Sequence, residues 1–339
     1  MNLAEFTTLH LGGPAGQIVE ATNEQQLIDA VAVADEAGDP ALILAGGSNL
    51  VVADEGFPGI VILVRTRGIS VEADDCSGAM VTVQAGENWD DFVAHAVGQD
   101  WVGVEALSGI PGSVGATPIQ NVGAYGQDVA QTIASVRTYD RFGTRIRTFA
   151  AADCGFSYRH SLFKAEPHRF VVLSVTFKFA LGDLSAPVAY TELARTLGLQ
   201  VGERAPAKAV RDAVLRLRKG KGMVLDADDR DTWSAGSFFT NPFLSPELAA
   251  SLPADAPRYG QPDGTVKTSA AWLIERVGFT KGYGNGPAKL STKHTLALTN
   301  RGEATTEDLL DLAREIRNGV EAKFGITLIN EPVLVGCDL

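Results

Sequence analysis

Cysteine and histidine are both scarce in this chain of 339 residues. Its three cysteines, Cys76, Cys154 and Cys337, lie far apart, so they predict neither a disulfide framework nor a metal site. The five histidines show no metal-ligand spacing. This pattern of cysteine use favours a reducing, cytoplasmic location.

Excess positive charge and long apolar runs are absent as well. The 29 Lys and Arg residues face 41 Asp and Glu residues, and the formal net charge of −12 argues against a nucleic acid or an anionic membrane as partner. No apolar run has the length of a transmembrane helix, and the N-terminus lacks a basic-then-apolar export pattern. We expect a cytoplasmic protein with a small-molecule ligand.

Several catalytic motifs are missing. There is no Gly-x-x-x-x-Gly-Lys-Ser/Thr sequence, which argues against a P-loop nucleotidase, and no Gly-x-Ser-x-Gly nucleophile elbow. Residues 282–286 superficially suggest a dinucleotide-binding motif. We interpret them as a loop, because no predicted strand precedes them and the later glycine is missing.

Glycine, in contrast, is concentrated in two loops. Residues 109–126 are dense in glycine and carry no charged side chain, and Ala45–Asn49 follows the apolar run Ala41–Leu44. Glycine permits positive φ and close approach of the backbone to a ligand, and N–H groups with no cation beside them suit a pyrophosphate. A tight turn explains either loop alone, but the pair predicts one dinucleotide held between them.

The apolar periodicity predicts an α/β unit up to about Arg67 and an α+β domain over residues 80–180. The α/β unit has a helix that starts at Thr22–Gln26, and the α+β domain has a hairpin over residues 135–149. Residues 186–222 are predicted to be helical, and their basic end is a candidate for phosphate contact.

The last third of the chain is predicted to contain two helices and a strand. The helices are Ser269–Val277 and a long helix that begins at the capping box of Thr305 and Asp308. The strand, Thr327–Ile329, is predicted to end at Asn330-Glu331-Pro332.

Three short motifs carry reactive side chains: Tyr158–Ser161, Ala235–Pro242 and Asn330–Pro332. Each has an ordinary structural explanation when it is taken alone. Arg159 suits a structural ion pair, Ser237 a turn, and Glu331 an exposed strand end.

Together with the glycine loops, these motifs resemble the UDP-N-acetylenolpyruvoylglucosamine reductases, the flavoenzymes of bacterial cell-wall precursor synthesis. The matching motifs occur in the family's order, and residues 189–193 resemble its tyrosine-bearing subtype. The matching segments are Ala45–Asn49, Gly109–Gly126, Tyr158–Lys164, Gly236–Pro242, Ser269–Ile274 and Asn330–Pro332.

The resemblance implies an α+β fold in which FAD is bound by two lobes of the vanillyl-alcohol-oxidase or PCMH-like type. The first lobe is residues 1–67, with the tail 327–339 packing back on it, and the second lobe is residues 68–218. A smaller α+β substrate-binding domain is residues 219–326. The resemblance also implies a monomer, with no nucleic-acid or membrane partner.

The implied activity is reduction of an enolpyruvyl ether on a UDP-sugar, with non-covalent FAD as cofactor and NADPH as co-substrate. Arg159 would clamp the substrate carboxylate with its planar fork. Glu331 would sit against the same carboxylate, where it helps best as a protonated donor with a raised pKa. Ser237 would protonate the substrate carbon.

The resemblance also implies two sets of binding residues. The FAD contacts are Gly46, Gly47, Ser48, Asn49, Gly112, Ser113, Gly115, Thr117, Asn121 and Gly123. The substrate contacts are Tyr190, Arg218, Lys221, Asn241 and Lys281.

Two other functions are open on the sequence. A small-alcohol oxidase could use the same flavin-binding fold, although it would need a base rather than a carbon-protonating acid. A non-catalytic sugar-nucleotide-binding protein would have no use for the combination of Arg159, Ser237 and Glu331.

Overall fold

The structure is a computed structural model that describes residues 1–74 and 78–339, so the prediction for Cys76 lies outside the described residues. Cys154 and Cys337 are free thiols. The helices are α1 (Glu24–Ala37), α2 (Trp89–Gly98), α3 (Thr117–Gln120), α4 (Leu162–Ala165), α5 (Thr191–Leu197), α6 (Ala207–Gly220), α7 (Pro246–Ser251), α8 (Ala270–Val277) and α9 (Thr306–Phe324). None of these helices combines the length and the apolar composition that crossing a membrane requires.

The strands lie before, between and after these helices along the chain. They are β1 (Ala15–Ala21), β2 (Ala41–Leu44), β3 (Leu50–Val52), β4 (Phe57–Val64), β5 (Ile69–Asp74), β6 (Gly78–Gln84), β7 (Trp101–Val102), β8 (Gly123–Ala124), β9 (Gln127–Asp128), β10 (Ile133–Asp140), β11 (Arg145–Ala150), β12 (Phe170–Leu181), β13 (Phe243–Leu244), β14 (Tyr259–Gly260), β15 (Val266–Lys267), β16 (Ala288–Leu290), β17 (Leu298–Asn300) and β18 (Val333–Val335).

The chain divides into two compact units. The central unit is residues 15–46 and 58–219, and the terminal unit is residues 1–14, 47–57 and 220–339. The boundary between the units therefore falls inside the first glycine loop. The three-part division into residues 1–67, 68–218 and 219–326 stays a prediction.

The central unit contains two larger sheets and the short antiparallel pair of β8 and β9. A three-stranded sheet has the order β1-β4-β2, with β2 and β4 parallel. Helix α1 connects β1 to β2; it is capped by the Asn23 side chain and ends at Gly38, which adopts the left-handed conformation. The larger sheet has the order β11-β10-β12-β6-β5, is antiparallel throughout, and adds β7 against the end of β12.

Helix α2 positions the second glycine loop of the central unit. Its apolar face buries Trp89 and Phe92 against Phe177 of β12. The Trp89 indole N–H donates to the Leu107 carbonyl at 3.1 Å, and the Trp89 backbone N–H donates to the Gly112 carbonyl at 3.1 Å. The hydrophobic packing of one helix thus fixes the backbone that leads into the loop.

The terminal unit is built from short strands and three helices, α7, α8 and α9. Strand β18 pairs in parallel with β3, β16 pairs with β17, and β13-β15-β14 form a small antiparallel sheet. The core joins Leu273 and Ile274 of α8, Ile316 of α9 and the adjacent rings of Phe238 and Phe239.

Most of the predicted elements are confirmed. The hairpin is β10 and β11, and the capping box of Thr305 and Asp308 starts α9 with both reciprocal hydrogen bonds. The continuous helical region at 186–222 is wrong in detail, because α5 and α6 are separate helices joined by a loop. Gly198 ends α5 in the left-handed conformation, which explains the interruption.

The strand predicted at Thr327–Ile329 is also wrong. Among the residues that the structure describes, the segment 327–330 makes one isolated bridge, between Asn330 and Phe239, and the C-terminal strand β18 begins after Pro332. Proline has no backbone N–H, so it cannot extend a ladder on both sides. Glu331 consequently precedes a strand instead of ending one.

Candidate active site

The two glycine loops meet within the central unit. A side chain at Gly46 would place its Cβ 2.7 Å from the Gly112 Cα, so the two backbones approach closely enough to exclude any larger residue. Gly47, the next residue, has φ of +57°. The structure therefore brings the start of the first loop onto the second loop.

Ser113 supplies an observation that favours a ligand at this junction. Its side chain is 5% exposed, and its Oγ has no hydrogen-bond partner within residues 1–74 and 78–339. A buried hydroxyl without a partner is costly unless a water or ligand completes it. The group lies next to Gly112, where φ is +121°. A glycine backbone beside an unsatisfied hydroxyl fits the phosphate region of FAD.

Thr117 and Asn121 hold the second loop in shape. The Thr117 hydroxyl donates to the Val114 carbonyl at 2.8 Å. Asn121 adopts a left-handed conformation, donates from Nδ2 to the Ser157 carbonyl at 2.9 Å and accepts from the Ala130 N–H at 3.2 Å. The Asn121 amide thus ties the glycine loop to the segment that carries Arg159.

Arg159 is fixed against the same loop. Its Nη2 donates to the Gly123 carbonyl at 2.7 Å, and its own carbonyl accepts from Lys164 Nζ at 3.0 Å. The φ of Arg159 is +53°, a left-handed conformation that costs a non-glycine residue about 1 kcal/mol or more and that persists where neighbouring contacts enforce it. Arg159 is therefore hydrogen-bonded directly to the predicted FAD loop.

Arg218 and Tyr190 belong to the same neighbourhood. Tyr190 meets Tyr125 edge to face, with ring centroids 5.4 Å apart. Burial lowers the pKa of Arg218 to about 10; Tyr125 and Asp90 act in the opposite direction, and Arg159 lowers it further. The arginine remains charged at neutral pH. The central unit thus contains Arg159, Arg218 and Tyr190, and Tyr125 interacts with both Tyr190 and Arg218.

Asp90 is a residue of this neighbourhood that sequence reasoning missed. It accepts from the Gly109 N–H at 2.6 Å and from Arg211 at 2.5 and 3.0 Å. Burial would raise the pKa of Asp90, but the bonds from Arg211 and Gly109 outweigh it and hold the pKa below its usual value. Asp90 and Arg211 are 121 positions apart, so no local pattern joins them.

The terminal unit brings Ser237 and Glu331 onto neighbouring segments. Ser237 follows Gly236, whose φ is +75°, and precedes Phe238. The Glu331 N–H donates to the Phe238 carbonyl at 2.8 Å. Asn49 extends the arrangement, because its Nδ2 donates to the Glu331 carbonyl at 3.5 Å. The predicted acid, the predicted hydroxyl and the end of the first glycine loop are therefore connected within this unit.

The remaining predicted substrate contacts of the terminal unit have different settings. Asn241 accepts from the Ala270 N–H at 2.9 Å through its side-chain oxygen, so this atom serves the N-terminus of α8. Lys281 is exposed, and Lys221 is half-buried just after α6. Ser48 lies between Gly47 and Asn49 in the first loop, and Gly115 is held by an N–H bond to the Ala85 carbonyl at 2.9 Å.

Comparison with known proteins gives two domain matches. Residues 15–148 match the FAD binding domain family, and residues 228–335 match the C-terminal domain of UDP-N-acetylenolpyruvoylglucosamine reductase. The first matched region includes all of the predicted FAD contacts. The second includes Ser237 and Glu331.

Full-length relatives carry the same name. The chain is 56% identical to the UDP-N-acetylenolpyruvoylglucosamine reductase of Cutibacterium acnes over 99% of this chain and 90% of the relative. It is 57% identical to that of Salinispora arenicola over 100% of this chain and 95% of the relative. The crystal structure of the Thermus caldophilus reductase is similar with a TM-score of 0.67 and 25% identity, over 99% of this chain and 97% of that one. The predicted FAD-binding α+β fold is confirmed by these matches.

Proposed function

We propose which residues of this chain carry out each part of the reaction of the UDP-N-acetylenolpyruvoylglucosamine reductases, the family to which the chain belongs. The protein is an NADPH-dependent flavoprotein oxidoreductase. It reduces the enolpyruvyl ether of UDP-N-acetylglucosamine to UDP-N-acetylmuramate, a step of peptidoglycan precursor synthesis.

The residues of the two glycine loops hold FAD without a covalent bond. Bound FAD supplies hydride transfer, from NADPH and then to the vinyl carbon of the sugar. The junction of Gly46 with Gly112 and the unsatisfied Ser113 hydroxyl support this assignment. Asn121 has a positioning role, because its amide holds the second glycine loop and the Arg159 segment together.

Arg159 binds the carboxylate of the enolpyruvyl group. A guanidinium is permanently charged and offers two parallel N–H donors, so it stabilises negative charge that grows on the carboxylate as hydride arrives. Its bond to the Gly123 carbonyl and its constrained backbone hold the fork in advance of substrate binding. Such preorganisation avoids a reorganisation cost during the reaction.

Ser237 and Glu331 handle the proton. The protonated Glu331 donates a hydrogen bond to the substrate carboxylate, and Ser237 Oγ–H delivers a proton to the α-carbon. A serine hydroxyl is a weak acid, so it works here because the enolate it protonates is strongly basic. The proximity of the two segments, fixed by the Glu331–Phe238 backbone bond, supports this pairing.

Arg218 and Lys221 bind the diphosphate of the UDP-sugar, and Tyr190, Asn241 and Lys281 contribute further sugar-nucleotide contacts. The chain has a net charge of −12, so an anionic substrate needs a local concentration of cations. The charged state of Arg218 beside Arg159 supports this role. We further propose that the enzyme is a cytoplasmic monomer that acts without a membrane or nucleic-acid partner.

The full-length identity to reductases of this name carries the proposal, and the flavin itself supplies the test. Purified protein should be yellow, NADPH should bleach it anaerobically, and the enolpyruvyl UDP-sugar should restore the colour with formation of the lactyl ether. Restoration of colour only by oxygen, together with oxidation of a small alcohol, would favour an oxidase. A colourless protein that does not take up FAD would overturn both flavin assignments.

A further inference from the structure

A cavity of about 300 Å³ in the terminal unit lies outside all of the residues assigned above. It is lined by two arginines, Arg230 and Arg301, together with Pro287, Gly302 and Glu303. A volume of this order is at the lower end for small-molecule sites. Two arginines in the lining indicate that the matching ligand carries negative charge.

Arg230 packs on an aromatic ring but is incompletely bonded. Its guanidinium carbon lies 3.4 Å from the centroid of the Trp233 ring, which is a cation–π contact. A Cβ added to Gly302 would lie 3.7 Å from the same guanidinium, so this glycine backbone packs close to it. Arg230 Nη1 is nevertheless buried without a hydrogen-bond partner in the described chain, and the indole Nε1 of Trp233 is in the same condition.

The two arginines differ in whether a carboxylate forms an ion pair with them. Arg301 forms an ion pair with Asp231 at 2.9 Å. Arg230 forms no ion pair with any carboxylate in the described parts of the chain. His10 stacks on Trp233 with ring centroids 3.9 Å apart, and burial, followed by the charge of Arg230, lowers its pKa, so it adds no positive charge at neutral pH. Of the two arginines in the lining, Arg230 is therefore the one whose charge no carboxylate of the described residues neutralises.

We propose that this cavity binds a small oxyanion, with Arg230 as its principal ligand and Arg301 as the second cation of its lining. An oxyanion supplies both negative charge and several acceptor lone pairs, which are the two things that the buried N–H groups require. Glu303, an exposed member of the wall, opposes the anion and moderates its affinity. The lining of the cavity shares no residue with the proposed substrate diphosphate contacts, Arg218 and Lys221.

The test is isothermal titration of the FAD-loaded enzyme with inorganic phosphate and, in a second arm, with malonate. UDP-N-acetylmuramate is kept saturating so that the substrate site is filled. The native enzyme should bind one anion. Arg230→Gln should weaken binding at least tenfold, since it removes a charged donor, and Glu303→Gln should tighten binding about two- to threefold because a like charge is removed.

One variant serves as a control. Arg145→Gln removes an exposed arginine of β11, outside the cavity and outside the proposed substrate contacts, so it should not change the anion affinity. Binding of both probes defines a general oxyanion site, whereas binding of phosphate alone narrows the site to tetrahedral anions. Equal affinities in the native, Arg230→Gln and Glu303→Gln proteins, or no binding of either probe, would overturn the proposal. If Arg230→Gln fails to fold, the direction of the Glu303→Gln effect decides.

Discussion

The two units of this protein carry candidate residues of different chemical character. The candidate residues of the central unit are mainly cations and backbone donors: Arg159, Arg218 and the glycine loop around Ser113. Those of the terminal unit include the hydroxyl of Ser237, the carboxyl of Glu331 and the amide of Asn49. The central unit is equipped to hold negative charge, and the terminal unit is equipped to supply a proton.

The two units also differ in how firmly their candidate side chains are held in position. Arg159 has a left-handed backbone and direct bonds to its neighbouring loop, so its position is strongly constrained. Ser237 and Glu331 are related through main-chain hydrogen bonds of their neighbours. Truncating a side chain in the terminal unit should therefore affect chemistry with little effect on structure, whereas changes in the central unit should affect binding as well.

Ser237→Ala should produce the largest effect. The variant loses the proposed proton donor but retains the backbone bonds of the segment, so reduction of the flavin by NADPH should stay near normal. Reoxidation by the enolpyruvyl sugar should slow by about 10⁴-fold or more, at or beyond the usual upper range for one general acid. Rapid-reaction absorbance measurements separate the two half-reactions.

The matched control is Ser251→Ala, which removes an exposed hydroxyl at the end of α7 in the same unit. It should leave both half-reactions unchanged. Similar losses in both half-reactions of Ser237→Ala would contradict a role in protonation and would point instead to a general disturbance of the flavin site.

Arg159→Lys should have the next largest effect. Lysine keeps the charge but lacks the planar fork, so it loses the bidentate carboxylate contact and the donor to Gly123. We expect about a 10²- to 10³-fold fall in kcat/KM for the enolpyruvyl sugar, the loss typical of one preorganised donor. Arg145→Lys, on the exposed face of β11, is the control. A change confined to KM would show that Arg159 binds the ground state and transition state equally.

The sequence predicted the parts of this arrangement that depend on local chemistry. Helix α1 could be located from the capping pattern at Asn23, and α9 from the reciprocal capping pair of Thr305 and Asp308. Each signal lies within a few residues of the element it starts. The glycine loops were recognisable for the same reason, since close backbone approach at Gly46 and Gly112 requires glycine itself.

Long-range pairings were beyond such reasoning. The strand misplaced at 327–329 depends on which distant segment supplies a partner, and β18 finds its partner in β3, far away in the sequence. The same holds for the contact of Asp90 with Arg211, and for the Arg230 cavity, whose walls come from separate segments. Pattern and propensity carry no information about such contacts.

Asp140→Asn should test the stability of the central unit without touching its chemistry. The Arg169 guanidinium holds the pKa of Asp140 at about 2 instead of 3.8; burial acts against this, and Gly143 and Arg147 reinforce it. The charge therefore stabilises the fold fully above about pH 4, and this contribution disappears as the pH falls toward 2. At neutral pH the variant should lose about 3 kcal/mol of unfolding free energy, at the low end for a buried pair because both arginines reach solvent.

Urea unfolding of the FAD-loaded enzyme at several pH values checks this expectation. The native and Asp140→Asn stabilities should differ most at neutral pH and converge toward pH 2, where the native carboxyl is half protonated. A difference independent of pH would mean that packing, and not charge, determines the loss. Activity per folded molecule should not change, because the bonding partners of Asp140 are Arg169, Arg147 and Gly143, and none of them is a candidate site residue.

Asp90→Asn should have the smallest effect. It distinguishes a role of Asp90 in ligand binding from a role in the reaction itself. Asparagine retains an oxygen that can accept from the Gly109 N–H, but it loses the charge that pairs with Arg211. The loop and α6 should loosen, so the dissociation constants of FAD and of the UDP-sugar should each rise about fivefold, equivalent to about 1 kcal/mol, while kcat changes little. Flavin fluorescence titration measures the first constant, and Asp91→Asn, on the exposed side of α2, is the control. A fall in kcat with unchanged FAD affinity would mean that Asp90 acts on the reacting groups themselves, and the separation of anchoring residues from proton-transferring residues would no longer hold.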